Sequence, residues 1–211
     1  MRDCTQDAIA YALREHARVG HLTDPERLAH ALGVRVVPGA RNSATHGPPS
    51  VITLRRDIYA PRQRFTMHHE LSHILIQRAG LQDSIRAEVD DDDSAAHLEA
   101  VTNHIASLLV MPDAMIRAAL ALYGLTPETV LLVRDAGRVS LAAAMRRVIH
   151  AQERPSTAWL SVGTHVHDVA SSDPYNRLTR YQRLPDARAA LPDAALLALP
   201  GQARLLGVVG W

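Results

Sequence analysis

His69-Glu70-Leu71-Ser72-His73 is an HExxH pattern. On a helix, histidines four residues apart project from one face, one turn apart, so both imidazoles can bind a single metal ion. Glu70 sits where its carboxylate can take a proton from a water activated by the metal without itself being a ligand. In a chain with 12 His, coincidence would produce this pattern roughly 0.02 times, so chance is a poor explanation. A zinc-type hydrolase site needs a third protein ligand and an open position. The extended HExxHxxGxxH pattern is excluded, because Ile76 and Ala79 stand where it needs Gly and His. The third ligand therefore comes from another element, and the candidates are His97, Glu99, His104 and the Asp90–Asp93 run.

The elements that must position these groups are readable around them. Pro61 to Arg78 reads as one long helix ended by Gly80. Met67, Leu71, Ile74 and Leu75 form its apolar stripe, with Thr66, His69, Ile76 and His73 nearly opposite and Glu70 between. His68 points about 100° away from His69 and is read as a supporting or surface residue. A second helix covers Ser94 to about Val110, broken by Met111-Pro112. Leu98, Val101, Ile105, Leu108 and Leu109 make its apolar side, and Glu99, Asn103, Ala106 and Val110 another face. That face favours Glu99 as the third ligand, with small Ala106 permitting close approach. Asn103, one turn after Glu99, can accept the ring N–H of a metal-binding histidine. Between the two helices lies a polar, acidic loop reaching Asp93.

Upstream, residues 5–19 read as a helix, and Thr23-Asp24-Pro25-Glu26 as the start of another, capped by Thr23. Short strands are expected at 34–37 and 51–54, with a Pro- and Gly-rich loop at 38–50. Downstream come helices at 113–122, 127–136 and 140–152, the last two joined by a turn like that of a helix-turn-helix. Trp159–Val162 and His165–Val169 read as a hairpin, and prolines recur from residue 174 onward.

Arg64-Phe65-Thr66-Met67-His68-His69-Glu70-Leu71-Ser72-His73, followed by Glu99-x-x-x-Asn103 and Leu108-Leu109-Val110-Met111-Pro112, resembles the ImmA/IrrE family of metallopeptidases from about residue 20 to 150. His68, Ser72, Thr102 and Ile105 depart from its usual Ala, Gly, Ala and aromatic residues; none of these is a ligand position. The resemblance implies an α+β fold with a mainly helical minimal zincin core and a small β-sheet. A helix-turn-helix-like segment would follow, and beyond it the hairpin and the recurrent prolines read as a short C-terminal β or irregular tail. The corresponding divisions are 1–126 for the metallopeptidase core, 127–154 for the helix-turn-helix-like segment and 155–211 for a small extension. It also implies His69, His73 and Glu99 as ligands of one divalent ion, Zn²⁺ or alternatively Mn²⁺, with Glu70 as general base and Asn103 behind the ligands. Members of the family cleave helix-turn-helix repressors and so release stress, DNA-damage or mobile-element genes. A repressor of that kind is the protein partner this implies. No residue is assigned to oxyanion stabilisation, for which Tyr123 and His104 are candidates.

Composition sets the outer limits. The 211 residues suit one domain, or one with a small appendage. Net charge is +1, which excludes a strong global field toward nucleic acid or anionic membrane. All 23 basic residues are Arg, so no single Arg is diagnostic. With one cysteine, Cys4, there is no intrachain disulfide, and no apolar stretch reaches membrane-spanning length, so a cytoplasmic location is expected. The alternative function is a DNA-binding regulator using 127–152, where Arg134, Arg138, Arg146 and Arg147 cluster. A redox centre of non-haem iron type is a third reading, disfavoured by the Glu beside the first His.

Overall fold

A proline at the first position of a helix marks the residue before it as the cap. Asp24 therefore takes that role for the helix at Pro25–Ala31, and its side chain accepts from the Arg27 N–H, displacing the expected Thr23. The computed structural model of the chain describes residues 3–55, 60–201 and 203–210. It divides into two compact units, Met1–Pro112 and Asp113–Trp211. This boundary lies before the one expected at 126–127, because the helix at 113–123 packs on the helix that follows it.

The first unit contains α1 (Cys4–Arg18), α2 (Pro25–Ala31), β1 (Val34–Gly39), β2 (Ser43–Thr45), β3 (Ser50–Arg55), α3 (Ala60–Arg78), α4 (Gln82–Arg86) and α5 (Ser94–Val110). The strands form a sheet in the order β1-β3-β2, with β1 parallel and β2 antiparallel to β3. β3 alternates faces as a strand with one side on the core must, burying Ser50, Ile52 and Leu54. Met67, Leu71, Ile74 and Leu75 of α3 join them, with Ala8 and Ala12 of α1, Leu28 of α2 and Leu98, Val101, Ile105 and Leu109 of α5. Two arginines pin α3 to its neighbours. Arg64 donates to the Thr23 carbonyl at 2.6 Å, and Arg78 to the Leu32 carbonyl at 2.7 Å and the Ser50 hydroxyl at 3.2 Å.

Sequence pattern does not announce β2 or α4. β2 falls inside the expected loop at 38–50, and α4 inside the expected acidic loop. α4 is held by a single fully buried side chain, Ile85. Beyond it, Glu88 turns back to the first turn of α1, accepting from the Thr5 N–H at 3.0 Å and the Thr5 hydroxyl at 2.6 Å.

The second unit contains α6 (Asp113–Tyr123), α7 (Pro127–Gly137), α8 (Leu141–His150), β4 (Ser156–Val162), β5 (His165–Ser171), α9 (Ala187–Ala190), β6 (Ala195–Leu199) and β7 (Arg204–Gly210). α7 and α8 meet through Arg138-Val139-Ser140, with Arg138 left-handed at φ 50° and Ser140 capping α8. The C-terminal stretch takes the β form expected for it. Its strands complete an antiparallel sheet in the order β5-β4-β7-β6 around the buried Trp159. Gly207 lies opposite Trp159 across the β4–β7 pair, where the indole occupies the space a Cβ would need. The mixed α+β class holds throughout, and no single helix among the described residues is long and apolar enough to cross a membrane.

Candidate metal centre

α3 and α5 pack against one another, and their polar positions meet in a cleft. His69 and His73 sit one turn apart on α3, with ring centroids 4.7 Å apart and planes at 82°. Their Nε2 atoms are 3.1 Å apart. Glu99 of α5 straddles the pair, with Oε2 3.4 Å from His69 Nε2 and Oε1 3.3 Å from His73 Nε2. Asn103, one turn further along α5, accepts the His69 Nδ1–H at 3.0 Å. That bond fixes the tautomer and leaves the Nε2 lone pair facing His73 and Glu99.

Two imidazole nitrogens and a carboxylate at such distances need a cation or shared protons between them. Ligands about 2.0–2.1 Å from a tetrahedral zinc lie about 3.3 Å from one another, close to the three separations seen here. One donor atom from each of His69, His73 and Glu99 lies within 4.8 Å of the others, so the group could hold a metal ion. Burial holds the His73 imidazole below its ordinary range, reinforced by the neighbouring His69 and opposed by Glu99. A neutral imidazole is the form that binds metal.

Glu70 lines the same cleft and is 8 % exposed. Burial pushes its carboxyl up, His69 opposes this, and Glu99 adds to it. A raised carboxylate is a better proton acceptor. The rest of the lining comes from Asn42, Ser43 and Ala44 at β2, from Gln77 and Leu98, and from Gln82 and Arg86 of α4. The α4 side chains are the part of the site that sequence reasoning missed. A five-residue helix among polar residues carries too little periodicity to be seen.

The other candidates lie elsewhere. His97 donates to Glu88 at 3.1 Å, beside Thr5. Asp90–Asp93 are exposed, as is His104, and none of these lines the cleft. Tyr123 belongs to the second unit, where it is 51 % exposed. His68 is fully buried rather than superficial, on a helix against which α1 and α2 both pack. Its Nδ1–H donates to the Arg64 carbonyl at 2.9 Å, and burial depresses it to about 4. Ile76, placed on the histidine side of the wheel, is also buried.

A family model described as an IrrE N-terminal-like domain, of the peptidase M78 family, matches residues 25–148. The chain belongs to this family. Membership supports a metallopeptidase-like role for the IrrE-type chain, and the matched span contains both metal-centre helices. A search of curated proteins finds no match. Among solved structures, the chain is similar to a Mycobacterium tuberculosis transcriptional regulator at 16 % identity and a TM-score of 0.60, covering 96 % of this chain and 75 % of that one. At that identity the likeness speaks for the fold alone.

In this IrrE-type chain the basic residues of α7 and α8 are largely engaged. Arg147 is buried and paired with Asp113, Arg146 lies 3.4 Å from Asp168, and Arg134 is 2.7 Å from Asp135. α8 also packs on β4 and β5, and its Ala144, Met145, Val148 and Ile149 are buried.

Proposed function

We propose that the chain is a metal-dependent endopeptidase whose substrate is a helix-turn-helix transcriptional repressor, so that cleavage releases stress, DNA-damage or mobile-element genes. The observation that carries the peptidase reading is the meeting of His69, His73 and Glu99 in one cleft with the buried Glu70. A bound divalent cation, Zn²⁺ or Mn²⁺, polarises a scissile carbonyl and acidifies water.

His69, His73 and Glu99 supply the donors, and Asn103 holds the His69 ring in register. Glu70 accepts a proton from the attacking water as the new C–O bond forms. As the C–N bond breaks, Glu70 returns that proton to the leaving amine. Burial favours both transfers, since a carboxyl raised above its ordinary range takes and returns a proton nearer neutral pH.

The similar M. tuberculosis protein is described as a transcriptional regulator, which keeps a second reading in view, DNA binding through α7 and α8. Three of the four arginines there are already in ion pairs and one face of α8 is packed on the sheet, which favours the peptidase reading. The test is incubation of the purified chain and Zn²⁺ or Mn²⁺ with the repressor encoded beside its gene. A discrete cut that a chelator abolishes is expected. Salt-dependent duplex-DNA binding without any cut would favour the second reading.

A further inference from the structure

The α4 wall of the cleft has a chemistry that metal binding and proton transfer do not use. Gln82 and Arg86 are four residues apart, so they leave α4 on one face, one turn apart. Buried Ile85, on the flank of the helix next to Gln82, anchors it to the core. Both polar residues line the cleft that holds His69, Glu70, His73 and Glu99. Arg86 is the one cation in that lining, and among the described residues it forms no ion pair although two carboxylates share the cleft. Gln77 donates its amide N–H to Gln82 Oε1 at 3.0 Å. This occupies the acceptor end of Gln82 and leaves its NH₂ end to donate beside Arg86. Gln77 Oε1 is itself buried without a partner.

An unpaired guanidinium and a free amide NH₂ make a site of donors only, and a planar carboxylate is the group that matches a guanidinium fork. We propose that Gln82 and Arg86 form a subsite for a carboxylate of the substrate, an acidic side chain at one fixed position of the bound segment. The proposal deepens the peptidase reading and rests on it for the word substrate. Bulk charge does not account for such a preference. Residues 1–112 carry 12 Arg against 14 Asp and Glu, so long-range attraction alone favours basic peptides.

The experiment uses the full chain carrying Glu70→Gln, loaded with Zn²⁺, and fluorescent peptides of about ten residues with amidated C-termini. Each pool carries Glu, Gln or Arg at a single position. Anisotropy should show one position at which Glu binds roughly tenfold more tightly than Gln, the worth of one charge-assisted hydrogen-bond pair. Arg86→Gln should erase that preference, Arg86→Lys retain part of it, and Arg86→Glu shift it toward Arg-bearing peptides. Arg86 is exposed, so circular dichroism should show these variants folded. Equal binding of Glu and Gln pools, absence of binding by every pool, or an unchanged preference in Arg86→Gln overturns the proposal. A preference confined to peptides with a free C-terminal carboxylate also overturns it, in favour of a chain-end subsite. If the Glu preference holds and the chain with Glu70 intact cuts none of these peptides and no repressor, the peptidase reading fails while the carboxylate subsite stands.

Discussion

Replacing Asn103 tests whether α5 orients the metal ligands as well as contributing one. The side chain makes a single 3.0 Å hydrogen bond to His69 Nδ1 and is otherwise exposed, so Asn103→Ala should leave the fold intact. Without that acceptor the ring can rotate and change tautomer, and loss of such an outer partner costs roughly 10–100-fold in metal affinity. The lower end applies here. The His69 side chain is 19 % exposed, so water can replace part of the lost bond. About tenfold, or about 1.4 kcal/mol, is therefore expected. Asn103→Asp should restore affinity, because a carboxylate accepts the same N–H. Competition for Zn²⁺ against a chromogenic chelator reads this directly, with His97→Ala as a control that should not change and Glu99→Ala losing more than either. Equal affinity in Asn103→Ala and the wild type would refute the argument.

Gly207→Ala should destabilise the second unit by about 1–3 kcal/mol, because the new Cβ must displace the fully buried Trp159 ring; an unchanged melting temperature would mean that the β4–β7 register differs. Acid should weaken the first unit through His16, which burial holds below its ordinary value of 6.5 although its Nε2–H donates to the Leu22 carbonyl at 2.9 Å. The unfolded chain then binds more protons below that value, so stability is full above it and falls as pH falls. Urea unfolding between about pH 7 and 5 should show a shallower decline in His16→Gln, and parallel declines would count against the buried neutral imidazole. Replacing Asp90–Asp93 with Ser should slow repressor cleavage at low salt and change little at high salt, since these residues are exposed and on the proposed reading would act by steering. Equal slowing at both salt levels would point to direct contact instead.

How much of this was legible in the sequence depends on how local the cause is. α3 and α5 are long and periodic, with Pro, Gly or Met-Pro at their ends, and their observed bounds lie within a residue of those expected. The spacing of His69 and His73 needs only helical geometry, and the small and polar face of α5 suffices to bring Glu99 and Asn103 into view. β2 was invisible because three residues carry no alternation, and backbone pairing with β3 creates it. α4 owes its place to Ile85, and its contribution to the cleft depends on where α5 and α1 hold it. Ser156–Val162 pairs with residues more than 40 positions later, so the C-terminal sheet depends on long-range closure that runs such as Ala195–Leu199 do not announce. His68 illustrates the same limit, since its direction follows from the helix and its burial from the tertiary packing around that helix.

The central claim is that Glu70 moves the proton while His69, His73 and Glu99 hold the metal. Glu70→Gln removes the proton acceptor and leaves all three donors and the shape of the side chain. The deciding measurement compares wild-type and Glu70→Gln proteins, each dialysed and assayed for bound Zn²⁺, then incubated with the neighbouring repressor. The account predicts equal metal content and circular dichroism, a discrete cut by the wild type and none by the variant. Cleavage by Glu70→Gln at near the wild-type rate, with metal retained, would contradict it.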